Sequence, residues 1–183
     1  MSQQSKAIVF VAVSLDGFIA KQDGDIDWLS LVDSPSEDYG YSAFMQGIDA
    51  VIMGRKTYDK VLSLDVKFLH KDKQCYVLST KQHKSIHNHI TFYQGELTKL
   101  VEELKSKFSK GIYIEGGGEV ISELRKDHLV DEYIISIIPI LLGSGIPLFK
   151  TCNIEEKLEL ISAKAYSSGL VQVHYQVHYS NIV

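Results

Sequence analysis

The chain has 183 residues, 19 Lys+Arg against 23 Asp+Glu, a formal net charge of −4, 45% apolar residues and 23% charged ones. That is the make-up of an ordinary soluble globular domain, with no basic excess to neutralise a nucleic-acid backbone. With 3 Pro and 13 Gly it has neither a disordered nor a collagen-like composition, and its length favours one domain.

Met1 to Lys6 is short and polar, and only seven apolar residues follow before Ser14, too few for a signal-peptide core. Those residues, Ala7 to Val13, form an unbroken Val/Ile-rich run that predicts a strand buried on both faces of a central sheet. Asp16-Gly17 breaks it, and Gln22 to Asp27 is an acidic turn region. Ser34, Pro35 and Glu37 read as an N-cap, a first-turn proline and a capping box, predicting a helix from there to about Gly47. Ala50 to Met53 is a second buried strand, followed by Gly54-Arg55-Lys56-Thr57 and a brief helix from Tyr58 to Leu64. Gln74 to Leu78 predicts a third strand, with Cys75 as a buried free thiol. Together with Cys152 it makes two cysteines, too few for a secreted disulfide framework.

After the polar stretch Ser79 to Asn88, Ile90 to Tyr93 predicts a short strand. Leu97, Leu100, Val101, Leu104 and Phe108 recur at helical spacing, placing a helix over Glu96 to Phe108. Ile112 to Ile114 is another strand, entering Gly116-Gly117-Gly118 and a helix from Glu119 to about Lys126. Tyr133 to Ile138 is a strand closed by Pro139. Leu158 to Tyr166 and Leu170 to Tyr179 flank Ser167-Ser168-Gly169 as an antiparallel hairpin, the second run alternating apolar and polar residues. Such alternation predicts an α/β fold: one domain over residues 1–183, a mostly parallel central sheet with flanking helices, and a C-terminal antiparallel hairpin. No apolar run approaches a membrane span. The expectation is a cytoplasmic protein without nucleic-acid or membrane partners.

Two segments share one design: a buried strand that ends in glycine and feeds a helix, at Gly54-Arg55-Lys56-Thr57 and at Glu115-Gly116-Gly117-Gly118. In open α/β sheets ligands bind beyond the carboxyl ends of strands. There a helix start offers N–H groups and positive dipole to an anion, and glycine lets a phosphate approach the backbone. Arg55 and Lys56 add charge and Thr57 a hydroxyl. A lone glycine turn is often only a turn. The usual dinucleotide fingerprint fails at Ile121, where its third Gly should stand, and no P-loop spacing occurs. Histidines 83, 87 and 89 lie close enough in sequence to suggest a metal, but no carboxylate accompanies them, so none is expected. His174 and His178 read as solvated residues on an edge strand.

Taken together, Ser14-Leu15-Asp16-Gly17-Phe18-Ile19-Ala20, Asp49 to Tyr58, Ile114 to Glu119, Val130-Asp131-Glu132 and Pro139 to Phe149 occur in the order and spacing of the dihydrofolate-reductase-like superfamily. The chain most resembles the branch containing the C-terminal reductase domain of the bifunctional riboflavin-biosynthesis deaminase-reductase. The match spans nearly the whole chain. It implies an NADPH-dependent reductase of a small pterin- or pyrimidine-like heterocycle, with a non-catalytic NADPH-binding sensor or assembly protein as the alternative. By motif position Ala12 and Ile19 would meet the nicotinamide. Gly54, Arg55, Lys56 and Thr57 would take phosphate, Arg55 the 2′-phosphate. Ser79 and Thr80 would lie beside the adenosine phosphate, and Gly116, Gly117, Gly118, Glu119 and Val120 would cradle the diphosphate. The resemblance also implies a cis peptide between Gly116 and Gly117.

On the substrate side, the superfamily's pterin-binding carboxylate falls on Asp38 counting back from Gly54 and on Asp33 counting forward from Trp28. Asp38 is preferred because it lies in the first turns of the predicted helix, where a carboxylate also simply complements the dipole. Glu115 matches the riboflavin branch's Glu before its glycines. Trp28, Tyr41 and Phe44 are candidate pocket walls or plain core. Two departures set the chain apart from that branch's own substrate: Phe10 stands where the branch has Lys, and its Asp-Asp-Pro segment has no counterpart near Leu62 to Val66. The partner deaminase's zinc motif is absent. The branch pairs through its sheet region, which implies a homodimer.

Overall fold

The computed structural model describes residues 5–63, 70–81, 83 and 87–179. Eight strands form one sheet in the order β5-β4-β3-β6-β1-β7-β10-β9. β1 (Ala7–Ser14), β3 (Ile48–Gly54), β4 (Gln74–Leu78), β5 (Ile90–Tyr93), β6 (Gly111–Gly116) and β7 (Glu132–Ile138) are parallel. β10 (Val171–His178) pairs antiparallel with β7 and with β9 (Lys157–Ala165). The apolar runs predict these strands because a parallel strand sandwiched between helices must be apolar on both faces. A second sheet, β2 (Phe18–Ala20) with β8 (Ile146–Pro147), is too short to leave a pattern in the sequence.

Three apolar clusters are present among the described residues, and the two larger ones lie on opposite faces of the sheet. On one face Ala7, Val9, Ala50, Ile52, Ile112 and Ile114 pack against α3 (Leu97–Lys107) and α4 (Gly118–Lys126) through Leu100, Leu104, Ile121 and Leu124. On the other, Val51, Met53, Tyr113 and Cys75 pack with Tyr58 of α2 (Arg55–Ser63) and with Tyr41, Phe44 and Met45 of α1 (Tyr41–Gln46). Each fully buried Leu or Ile contributes roughly 1.5–3 kcal/mol relative to exposure. Strand alternation assigns the faces: Ile112 and Ile114 point one way, Tyr113 and then Glu115 the other. Leu64, the last residue of the brief helix expected after Tyr58, lies outside the described residues.

The helix expected from Ser34 does not form there. A 3-10 helix occupies Asp27–Val32, and the α-helix begins only at Tyr41. The capping groups are used locally: Ser34 Oγ lies 3.3 Å from Ser36 Oγ, and the Glu37 carboxylate accepts from the Tyr39 N–H at 3.0 Å. Tyr39 (φ 55°) and Gly40 (φ 80°) then take left-handed backbone, which no α-helix passes through. Tyr39 is held in that conformation by its hydroxyl, which donates to the Val32 carbonyl and accepts from Ser168 Oγ at 3.0 Å.

Several motif residues are locks between elements. Asp16 accepts from Ser14 Oγ and from the N–H groups of Leu142 and Gly143, joining the loop after β1 to the loop after β7. These bonds hold its carboxyl below the usual range, Ser14 contributing most. Asp131 accepts from the Ala7 N–H and pairs with Lys105. Glu132 pairs with Lys6 and, at 2.8 Å, with His174. His174 is therefore not left to solvent, since a buried carboxylate stands opposite it, whereas His178, paired with Glu159, is exposed as expected.

Candidate functional site

β3 and β6 are neighbours, so their two glycine turns meet at the carboxyl edge of the sheet. β3 runs straight into α2, with Gly54 the last strand residue and Arg55 the first helical one. β6 ends at Gly116 (φ 108°), which is joined to Gly117 by a cis peptide, and α4 starts at Gly118. A Cβ on Gly54 would lie 3.3 Å from Val120 Cγ2 and 3.8 Å from the Gly116 carbonyl oxygen; one on Gly117 would lie 3.5 Å from Thr57 Oγ1. One on Gly118 would lie 2.8 Å from the Pro147 carbonyl oxygen and 3.9 Å from Ile19 Cδ1. Gly54, Thr57, Gly116, Gly117, Gly118, Val120 and Ile19 are thus drawn together from three parts of the chain. No side chain caps α4, which begins at the carboxyl edge of β6 with Glu119 as its first-turn acid. Glu119 points away from this cradle to an ion pair with Lys150 at 3.3 Å. Ala12 lies one strand further on, packed near Trp28, Val32 and Ile138.

At the outer rim, the Arg55 guanidinium lies 5.5 Å from the centre of the Phe92 ring and 5.9 Å from that of Tyr58. Its Nε donates to Asp59 at 2.7 Å and its Nη1 lies 2.8 Å from His83 Nε2. Guanidinium carries no acceptor, so the imidazole accepts there. His83 in turn lies against Phe92, ring centres 5.0 Å apart. The sequence offered His83 only as an unlikely metal ligand; its contact with Arg55, across 28 positions, has no local signature. Ser79 and Thr80 follow β4, which pairs with β3 at Gly54 and so brings them to the same rim.

On the α1–α2 side of the sheet, the Glu115 carboxylate faces His70. His70 Nε2 lies 3.1 and 3.2 Å from its two oxygens. The imidazole side chain is fully buried, while the carboxylate keeps 13% exposure. Around this pair stand Tyr113, whose ring meets His70 edge-on at 6.1 Å, then Tyr41 and Cys75. Burial first, and the Glu115 charge second, push the Tyr113 and Tyr41 hydroxyls up and the Cys75 thiol up to about 12. Phe10 lies in the same apolar wall, 4.8 Å from Phe44. The segment compared above with the Asp-Asp-Pro element, Leu62 to Val66, falls largely outside the described residues.

Asp38 is elsewhere engaged. Its carboxylate accepts from the Gly40 and Ser42 N–H groups at 2.9 Å each, fixing the start of α1, and Ser42 foremost holds its pKa below the usual value. Asp33 is exposed at the end of the 3-10 helix. Trp28 is buried with Val32, Ile138 and Leu170. Among the described residues no three His, Cys, Asp or Glu are grouped to hold a metal ion, and no helix is long and apolar enough to cross a membrane.

Comparison with known proteins agrees with this geometry. Residues 5–172 match the RibD C-terminal domain family. The chain is 41% identical over 172 residues to the Bacillus subtilis protein YwjB, covering 94% of this chain and 98% of that one. A Shewanella sp. PV-4 protein provisionally assigned to riboflavin biosynthesis superposes with a TM-score of 0.86 at 34% identity, over 94% of this chain and 99% of its own. The Thermotoga maritima diaminohydroxyphosphoribosylaminopyrimidine deaminase/5-amino-6-(5-phosphoribosylamino)uracil reductase shares the fold at 17% identity and a TM-score of 0.69. There the match covers 96% of this chain and 57% of the larger enzyme. The architecture is the dihydrofolate-reductase-like one, and the chain belongs to the RibD C-terminal domain family.

Proposed function

We propose that this protein is an NADPH-dependent reductase of a small pterin- or pyrimidine-like heterocycle. The observation that carries the reading is the meeting of the two glycine turns, which brings two helix starts, Thr57 and Ile19 together at one edge of the sheet, with Arg55 beside the Phe92 and Tyr58 rings at its rim. Those groups fit a dinucleotide. Gly116 to Val120 would hold the diphosphate, and Lys56 and Thr57 would take phosphate oxygens. Arg55, with Ser79 and Thr80 beside it, would take the 2′-phosphate; Ala12 and Ile19 would pack on the nicotinamide. When bound, the reduced nicotinamide supplies the hydride; the chain orients it, excludes water and provides a proton. Glu115 is the carboxylate for that last task, because it stands at the cradle's own edge, whereas Asp38 is committed to α1. Phe10, Tyr41 and Phe44 give the pocket an uncharged aromatic wall where the riboflavin branch has a Lys, which favours a substrate without a ribosyl phosphate.

Trp28 packs beside Ala12 and is the chain's one tryptophan, so its emission should report occupancy. Titration with NADPH is expected to quench or shift it saturably, with NADH markedly weaker; no response to either coenzyme would end this reading. A screen of NADPH consumption across pterins, aminopyrimidines, and nitro and quinone acceptors then separates a reductase from a binding protein. We also propose a cytoplasmic homodimer. Cys75 and Cys152 are both free thiols, and β9 leaves all nine of its residues exposed at the sheet's edge, Leu158, Leu160 and Ile161 among them. A long apolar edge strand of this kind invites pairing.

A further inference from the structure

His70 lies outside every motif, yet it is fully buried and its Nε2 addresses both oxygens of Glu115. A buried imidazole facing a partly buried carboxylate carries a desolvation cost, and Glu115 is the next-to-last residue of β6, with only the glycine turn beyond. Of the neighbouring acids, Tyr113, Tyr41 and Cys75 are all held protonated by burial, and Asp72 makes an ion pair with Lys73 at 3.0 Å. His89, another titratable group within electrostatic reach of His70, has its pKa lowered, by burial first, so the two groups in direct hydrogen-bond contact at this spot are Glu115 and His70.

We propose that Glu115 and His70 work as one proton-holding unit, His70 being the positioning residue that fixes the carboxylate and shares its proton. The proposal rests on the reductase reading and deepens it. In that reaction the hydride forms a new C–H bond at a C=N carbon, and the π pair moves to nitrogen. The Glu115–His70 unit releases one proton to that nitrogen, forming N–H. The coenzyme leaves oxidised, and the unit regains a proton from water through the exposed edge of Glu115.

The test begins with wild-type protein, since a buried His70 variant can fail to fold. Long-range 1H–15N spectra of the His70 ring are recorded from about pH 5 to 8, the range of histidine titration, with and without NADPH, and again in Glu115→Gln. The proposal expects the ring to titrate in wild type, with a midpoint at least about one pH unit lower in Glu115→Gln and moved by NADPH. A ring fixed in one neutral tautomer throughout, unaffected by the substitution, overturns it. With an acceptor from the screen, His70→Gln that folds should lose about tenfold in kcat with KM kept and the pH profile displaced; an unchanged profile counts against the pair. NADPH binding without these couplings sinks the unit and leaves the reductase reading standing, whereas failure to bind NADPH sinks the reading itself and the unit's role with it.

Discussion

Arg55 makes the sharpest claim of any single residue. A 2′-phosphate is the only group by which NADPH exceeds NADH at this rim, and a charge-assisted guanidinium contact is worth about 1.5–3 kcal/mol. Arg55→Ala should therefore weaken NADPH by about tenfold to a hundredfold and leave NADH nearly unchanged; equal losses by Trp28 fluorescence would contradict the assignment. Glu115 and Asp38 are separable in the same way. Glu115→Gln should lower kcat by about 10²-fold. Asp38→Ala, which removes the acceptor for the Gly40 and Ser42 N–H groups, should instead lower the melting temperature with kcat little changed. Cys75, its thiol pushed up to about 12 by burial, should resist iodoacetamide at pH 8 until the protein is unfolded. The two glycine turns of the cradle were legible in the sequence because each closes a buried strand and feeds a helix, whereas Ile19 came only from the resemblance. His70 was not, because its partner lies 45 positions away and no turn chemistry marks it.

Among elements, the parallel strands could be read almost to the residue, since burial on both faces leaves runs that few other structures need. The failure was α1. Ser34, Pro35 and Glu37 spell a helix start, but the Tyr39 hydroxyl is anchored to Val32 and Ser168, and that tertiary bond overrides the local signal. The start of α4 carries its own prediction. Gly118→Ala would bring a Cβ to 2.8 Å from the Pro147 carbonyl, and such overpacking should cost about 1–3 kcal/mol, a fall of several degrees in Tm. β7 supplies a pH effect. Burial opposes the charge on Glu132, but hydrogen bonds from Lys6 and His174 outweigh it and hold its pKa below 4.5. The stability gained is complete above the unfolded value and disappears as pH falls through the lower, folded one. Glu132→Gln should therefore melt below wild type at pH 7, with the gap closing in acid below pH 4.5.

For the whole molecule, the exposed hairpin is the place to look for a second copy. Leu160, 53% exposed on β9, should tolerate Asp as a monomer; light scattering of Leu160→Asp beside wild type should then show half the mass, and equal masses would remove β9 from the interface. The eight-strand order itself was beyond the sequence, which carries no information on which parallel strands lie side by side. That order matters for the proposed coenzyme site, because it alone makes β3 and β6 neighbours. A Cβ on Gly54 would meet Val120 and the Gly116–Gly117 turn, and one on Gly117 would meet Thr57, so the proposed seats for the diphosphate and the 2′-phosphate share a wall. On the proposed reading such a seat should accept the coenzyme with little rearrangement, hence with a modest entropy penalty. Damage to it should also spread: in a double-mutant cycle, Thr57→Ala combined with Gly117→Ala should depart from additivity by about 0.5 kcal/mol or more, because neither seat can be altered without disturbing the other.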